Sequence, residues 1–106
     1  VRQINARELK TYLQASNPPP LILDVREPWE YHICHLENSK LVPMNEVPFV
    51  VKELDPSQET ILICHHGVRS HRVGLFLIQA GFQRVVNVSD GIDGWARHID
   101  PDMSTY

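Results

Sequence analysis

Long hydrophobic runs are missing from this 106-residue chain. The apolar stretches beginning at Leu21 and Ile61 have the length of buried strands, far short of the roughly 20 residues that cross a bilayer, so no membrane partner is expected. Blocks of basic residues are also missing. Lys and Arg number 10 against 13 Asp and Glu, for a formal net charge of −3, and no aromatic–basic interleaving marks a nucleic-acid surface. Cysteine is scarce: Cys34 and Cys64 are the only two. A disulfide framework is thereby excluded, and a reduced, cytoplasmic setting is expected. No signal peptide is expected, and no internal repeat or low-complexity segment is seen. The chain starts at Val1 rather than methionine, as a module cut from a longer protein would. What remains is 42% hydrophobic and 22% charged, the balance of a soluble globular protein. We expect one monomeric domain over residues 1–106, with 99–106 as a tail.

Periodicity orders the chain. Asn5 and Glu8 form a capping-box pattern ahead of an apolar face at Leu9, Tyr12 and Leu13, which predicts a helix to about Ala15. The proline run 18–20 ends it. Leu21–Val25 and Thr60–Cys64 are nearly continuous apolar runs, as strands covered on both faces are. Leu41–Pro43 reads as a further short strand, Val47–Leu54 as a weak helix and 55–57 as a turn. Arg69–Ala80 is helical and closed by Gly81. Val85–Val88 is a strand, and Ile92–His98 a short helix after the turn Ser89-Asp90-Gly91. Alternating strands and helices predict an α/β fold with a parallel sheet between helical layers. Ligands of such sheets sit beyond the carboxyl ends of the strands. Three reactive segments fall there: Asp24 to Glu27, Cys64 to Arg69, and Asp90-Gly91.

Cys64-His65-His66-Gly67-Val68-Arg69 carries the chemistry. The thiol stands where a buried strand ends and a helix begins. Unpaired N–H groups at a helix start stabilise an anion, and Arg69 adds a fixed positive charge, so thiolate is favoured over thiol. Gly67 allows successive amides to fold into a cup around a large anionic sulfur. His65 and His66 offer charge or hydrogen bonds at the rim. Arg69 is long enough to meet an anionic donor. Arg26 either meets the donor too or pairs with Glu27 or Glu30, while Asp24 orders backbone amides near the loop. Cys34, His32, His35, Cys64 and His66 match no zinc-ligand spacing, and a metal would quench the nucleophile. Cys34 reads as a partly exposed spectator, Trp29 and Trp95 as packing residues that wall the pocket, and His71 and His98 as solvated.

These segments resemble the rhodanese-like domain family of sulfurtransferases. Asp24-Val25-Arg26-Glu27-Pro28-Trp29-Glu30-Tyr31 is similar to its Asp-Val-Arg-x-x-x-Glu-[Tyr/Phe] segment. His35-Leu36-Glu37-Asn38-Ser39 stands at its His-Ile-Pro-Gly-Ala turn, and Ile61 to Ser70 resembles its strand and Cys-x-x-Gly-x-Arg-Ser loop. Ala80-Gly81-Phe82 and the stretch from Val85 to Trp95 resemble its carboxyl-terminal pattern. Two departures stand out: Glu37-Asn38 replaces Pro-Gly, and Asp90 replaces the first glycine of Gly-Gly, adding a carboxylate near the site. The resemblance implies a three-layer fold with a mainly parallel sheet of about five strands. It implies Cys64 as nucleophile and the loop residues His65, His66, Gly67, Val68 and Arg69 as substrate contacts, with Arg26 a further candidate contact. Asp24, Ser70, Asp90 and Trp95 stand behind them, and neither metal nor organic cofactor is expected. The partners it implies are a sulfur donor such as thiosulfate or a persulfide and a thiol or cyanide acceptor. A sulfur-carrier protein takes the acceptor's place if the domain is a relay module of a larger protein.

Loop length bears on a rival reading. Phosphatases and arsenate reductases of the same fold use Cys-x5-Arg, wide enough for a tetrahedral oxyanion. Here Cys64 and Arg69 are spaced Cys-x4-Arg, a narrower cup that suits one sulfur atom.

Overall fold

The computed structural model describes all residues from Val1 to Tyr106. Five strands form one sheet: β1 (Arg2–Ile4), β2 (Leu21–Asp24), β3 (Ser39–Leu41), β4 (Thr60–Ile63) and β5 (Val85–Val88). Their order is β1-β5-β4-β2-β3, and every neighbouring pair is parallel. Parallel strands require crossovers, supplied by α1 (Ala6–Ala15), α2 (Pro28–Ile33), α3 (Val47–Val50) and α4 (Val68–Gln79), and α5 (Gly91–His98) follows the last strand. No helix is long and apolar enough to cross a membrane.

Both faces of the sheet are covered, which explains the continuous apolar runs. Leu23, Val25, Leu62 and Val85 pack toward α3 and α4 with Val47, Val73, Leu77 and Phe82. Ile22, Ile61, Ile63, Val86 and Val88 pack on the opposite face with Leu9 of α1 and Ile92 of α5. Asn87 follows the alternation of β5 and faces α4, where an apolar residue would be expected. It is 1% exposed.

Several boundaries differ from the sequence expectation. β1 has no sequence signal, because it is a three-residue edge strand whose Arg2 and Gln3 are exposed. β3 begins at Ser39, two positions before the expected start. Beyond it the Val42 N–H donates to Asp24 O at 2.9 Å and the Met44 N–H to Val25 O at 3.0 Å, on either side of Pro43. The expected helix at 47–54 is one α-turn between 3-10 turns at Met44–Glu46 and Val51–Glu53. Pro48 and three β-branched valines leave that segment little helical preference. α2 was not expected: Pro28 opens it, and Glu27 and Glu30 complete a capping box.

Candidate active site

Strand order places the carboxyl ends of β2, β4 and β5 side by side. Cys64 follows β4 and is 1% exposed. Its Sγ accepts from the Gly67 N–H at 3.1 Å, the Ser70 N–H at 3.4 Å and the Ser70 hydroxyl at 3.2 Å. Donors of this kind, converging from a loop and the first turn of α4, stabilise a sulfur anion.

Backbone contacts shape the loop. Gly67 has φ +95°, and a Cβ there would run into the Ser89 carbonyl. Gly91 has φ +61°, and a Cβ there would strike the carbonyls of Cys64 and His65. Glycine at both positions lets α5 begin directly against the loop. The Ile92 N–H donates to Cys64 O at 2.8 Å, and the Asp93 N–H to His65 O at 3.2 Å. The first turn of α5 therefore carries the loop by backbone bonds.

Arg69 reaches across to α2. Its guanidinium donates to both oxygens of Glu30, at 2.6 and 2.8 Å. Glu30 is 3% exposed, and the Arg69 guanidinium holds its carboxyl well below the usual range, at about 2, with help from the Tyr106 hydroxyl and against its own burial. Arg69 is raised, chiefly by the Glu30 bond. An approaching donor thus meets an ion pair, where the sequence reading expected a free arginine.

Arg26 is fully buried, and its expected partners change. The guanidinium binds the Asp24 carboxylate, with Nη2 to Oδ2 at 2.6 Å, and both side chains are inaccessible. It also donates to Cys34 O at 2.6 Å and Tyr106 Oη at 3.0 Å. Wholly enclosed, it cannot touch a donor in this arrangement, so the substrate contact expected for Arg26 is corrected to support of the turn after β2. Asp24 accepts from the Arg26 backbone N–H at 3.1 Å, ordering its own turn rather than the Cys64 loop.

Other expected residues take mixed places. His65 stacks between His66 and Tyr106, with ring centroids 3.9 and 4.0 Å away. Burial, with His66 beside it, pushes His65 below the ordinary histidine range, so it is mainly neutral at pH 7 and adds hydrogen-bonding capacity rather than charge. His66 is exposed, with Nδ1 at 3.9 Å from Asp93 Oδ2. Val68 projects outward, 62% exposed. Asp90 does not supply the site with a carboxylate. Its Oδ1 accepts from the Ala6 N–H at 2.9 Å, satisfying a free donor at the start of α1. Trp95 packs against the cluster under α1 and α5. Glu37-Asn38 is compatible with its turn, since Asn38 has φ +66°, a conformation asparagine tolerates better than most residues.

Glu30 and Tyr106 stand at the candidate site, where sequence reasoning placed neither. The expected tail folds back, and the Tyr106 hydroxyl donates to Glu30 Oε2 at 2.6 Å. Its ring meets Trp29 edge-on, with centroids 5.5 Å apart. Burial and the Glu30 carboxylate push the phenol up to about 12. Beside it lies a small cleft, about 10 Å³, lined by Cys34, His65, Ile92, Asp93, Ala96 and Tyr106 among others. Glu30 had a signal in its capping-box spacing; Tyr106 had none. No group of three or more His, Cys, Asp or Glu side chains is placed to hold a metal ion.

Comparison with known proteins places this geometry. A family model described as "Rhodanese-like domain" matches residues 5–98. A "Sulfurtransferase" of Allochromatium vinosum is 31% identical over 92% of this chain and 91% of its own length. "Rhodanese-like/PpiC domain-containing protein 12, chloroplastic" of Arabidopsis thaliana is 31% identical over the whole chain, and "Probable adenylyltransferase/sulfurtransferase MoeZ" of Mycobacterium tuberculosis is 33% identical over 97% of it. The chain spans only 38% and 26% of the lengths of those two. A crystal structure of a rhodanese-related protein from Thermoplasma volcanium superposes with TM-score 0.82 at 34% identity, covering 93% of this chain and 94% of that one.

Proposed function

The chain belongs to the rhodanese-like domain family, and on that premise we propose that it is a sulfurtransferase working through a Cys64 persulfide. The convergence of Gly67 N–H, Ser70 N–H and Ser70 O–H on Cys64 Sγ carries this reading. With thiosulfate as donor, the Cys64 thiolate attacks the outer sulfur. A new S–S bond forms, the donor's S–S bond breaks, and sulfite departs with its electron pair. The terminal persulfide sulfur then carries the charge, and the amides of the cup stabilise it. Attack by a thiol or cyanide on that sulfur returns Cys64 as thiolate, with a new persulfide or thiocyanate as product.

The Arg69–Glu30 pair and the stacked His65 fix the rim. Arg69 remains cationic, and with its side chain one-third exposed it attracts an anionic donor while Glu30 limits its reach. The five-residue step from Cys64 to Arg69 disfavours a tetrahedral oxyanion, whose oxygens need a wider ring of donors. Cys34 and Cys64 are both free thiols, which fits a reducing compartment such as the cytoplasm.

A second reading concerns context. The chain covers 26% of the Mycobacterium tuberculosis relative's length and 91% of the Allochromatium vinosum relative's, so a relay module delivering sulfur to a carrier protein within a larger polypeptide is the alternative to a stand-alone enzyme. Thiocyanate release from thiosulfate and cyanide tests the shared chemistry. The wild type should turn over and Cys64→Ser should not. Equal turnover in both would remove Cys64 from the reaction.

A further inference from the structure

A polar residue in the middle of a buried strand needs a reason. Asn87 of β5 lies opposite Gln3 of β1 and Leu62 of β4 in register. Its Nδ2 donates to Gly67 O at 3.1 Å and to Gln3 Oε1 at 2.9 Å. A backbone carbonyl only accepts, so the contact with Gly67 O fixes which end of the amide carries the hydrogens. Asn87 Oδ1 therefore faces Ser70, whose Oγ lies within hydrogen-bond distance of it. The same Oγ is 3.2 Å from Cys64 Sγ. A hydroxyl has one hydrogen, and here it has two acceptors.

We infer that Asn87 is a positioning residue of the sulfur site, holding the Ser70 hydroxyl as a donor with two orientations. When Cys64 is a thiolate, the hydroxyl turns to the charged sulfur and leaves Asn87 Oδ1 without that donor. When Cys64 is a thiol, its S–H donates to Ser70 Oγ and the hydroxyl donates to Asn87 Oδ1, so every polar group is satisfied. In the persulfide, Sγ is bonded on both sides and uncharged, and the hydroxyl again prefers the amide oxygen. Asn87 thus opposes the bare thiolate and favours the loaded and protonated forms. Such tempering suits a nucleophile whose reactivity falls as its basicity falls.

The loop has anchors that do not depend on Asn87. Gly67 O also accepts from the His71 N–H at 3.3 Å, and Cys64 O is held by the Ile92 N–H at 2.8 Å. The charged and titratable groups around the loop and Asn87, namely Arg69, Glu30, Arg26, His65, His66, Asp93, Tyr106 and His71, whose Nδ1 lies 2.8 Å from Gln3 Nε2, remain in every variant below. Removing Asn87 should therefore release the hydroxyl to the sulfur without dismantling the cup.

The test is the pH dependence of Cys64 alkylation by iodoacetamide, read on the Cys64 peptide by mass spectrometry, with thermal melts confirming folding. Asn87→Leu, close in volume and apolar, should lower the midpoint by about half a unit to one unit, the worth of one redistributed hydrogen bond. Ser70→Ala should raise it. In the Ser70→Ala background, Asn87→Leu should leave the midpoint unmoved. An unchanged or raised midpoint in Asn87→Leu, or the same fall with and without Ser70, overturns the inference. If leucine is not accepted in β5, Asn87→Val is read the same way, and absence of a rise in Ser70→Ala alone overturns it. The inference rests on Cys64 as the sulfur-accepting thiol. Because alkylation reports ionisation without any sulfur donor, failure of the hydroxyl switch and failure of sulfur transfer are distinguishable.

Discussion

Replacing Glu30 by glutamine removes one charge from a carboxylate that is 3% exposed and keeps its shape. Glu30 accepts from Arg69 Nη1 at 2.6 Å, Arg69 Nη2 at 2.8 Å, Tyr106 Oη at 2.6 Å and the Glu27 N–H at 2.9 Å. Every partner is a donor. A glutamine amide carries donors at one end, so at least one partner faces a hydrogen instead of an oxygen. Removing one member of a fully buried ion pair costs about 3–5 kcal/mol. Arg69 is one-third exposed, and water recovers part of its solvation, so about 2–3 kcal/mol is expected at pH 7. For a domain of this size, that lowers the melting temperature by roughly 10–20 °C. The pH dependence is the sharper signature. The Glu30 carboxyl lies at about 2 in the folded protein against 4.5 for an unperturbed glutamate. Its contribution is complete above the unfolded value and is lost as pH falls through the folded one. Urea denaturation at pH 7, 5, 4 and 3 should therefore show the gap between wild type and Glu30→Gln narrowing only below about pH 4.5. A gap under about 0.5 kcal/mol at pH 7, or one that stays constant down to pH 3, would refute the reasoning.

Other expectations follow from the same contacts. Arg69→Ala leaves Glu30 buried without its cation, so it should lower the melting temperature by several degrees as well as kcat/KM; an unchanged melting curve would show the pair to be idle. Tyr106, with its phenol pushed up to about 12, should hold the carboxyl-terminal segment in place below pH 10 and lose that contribution as pH rises through 12, a loss absent in Tyr106→Phe when both are followed by denaturation. Asp90→Ala should cost about 1 kcal/mol through the freed Ala6 N–H while leaving sulfur-transfer kinetics within about twofold, and a larger kinetic effect would return Asp90 to the site. The loop should not hydrolyse an aryl phosphate; hydrolysis lost in Cys64→Ser would favour the phosphatase reading.

Local signals and long-range contacts divide what the sequence could show. β2 and β4 were legible because strands covered on both faces are apolar at every position. The Cys64 loop was legible because thiol, Gly67 and Arg69 lie within a few residues. By contrast, β1 consists of an exposed Arg2, an exposed Gln3 and one buried isoleucine, too little pattern to detect. The partners of Arg69, Asp90 and Ser70 are distant in the chain: Glu30, the Ala6 N–H and Asn87. Position assigned Asp90 to the site, because it follows the carboxyl end of a strand and stands where the family pattern has glycine. The fold turns it toward α1, where an unpaired N–H binds it. Tyr106 stands in a polar segment without periodicity, so its stacking on His65 depends wholly on how the chain returns across the sheet.

Sulfur transfer in this site turns on Cys64 Sγ as the accepting atom. Intact mass spectrometry after exposure to thiosulfate, with each cysteine mapped by peptide analysis, tests this directly. The wild type and Cys34→Ser should gain the mass of one sulfur at Cys64, cyanide should remove it, and Cys64→Ser should gain nothing. An adduct on Cys34, or one that survives Cys64→Ser, would contradict the account.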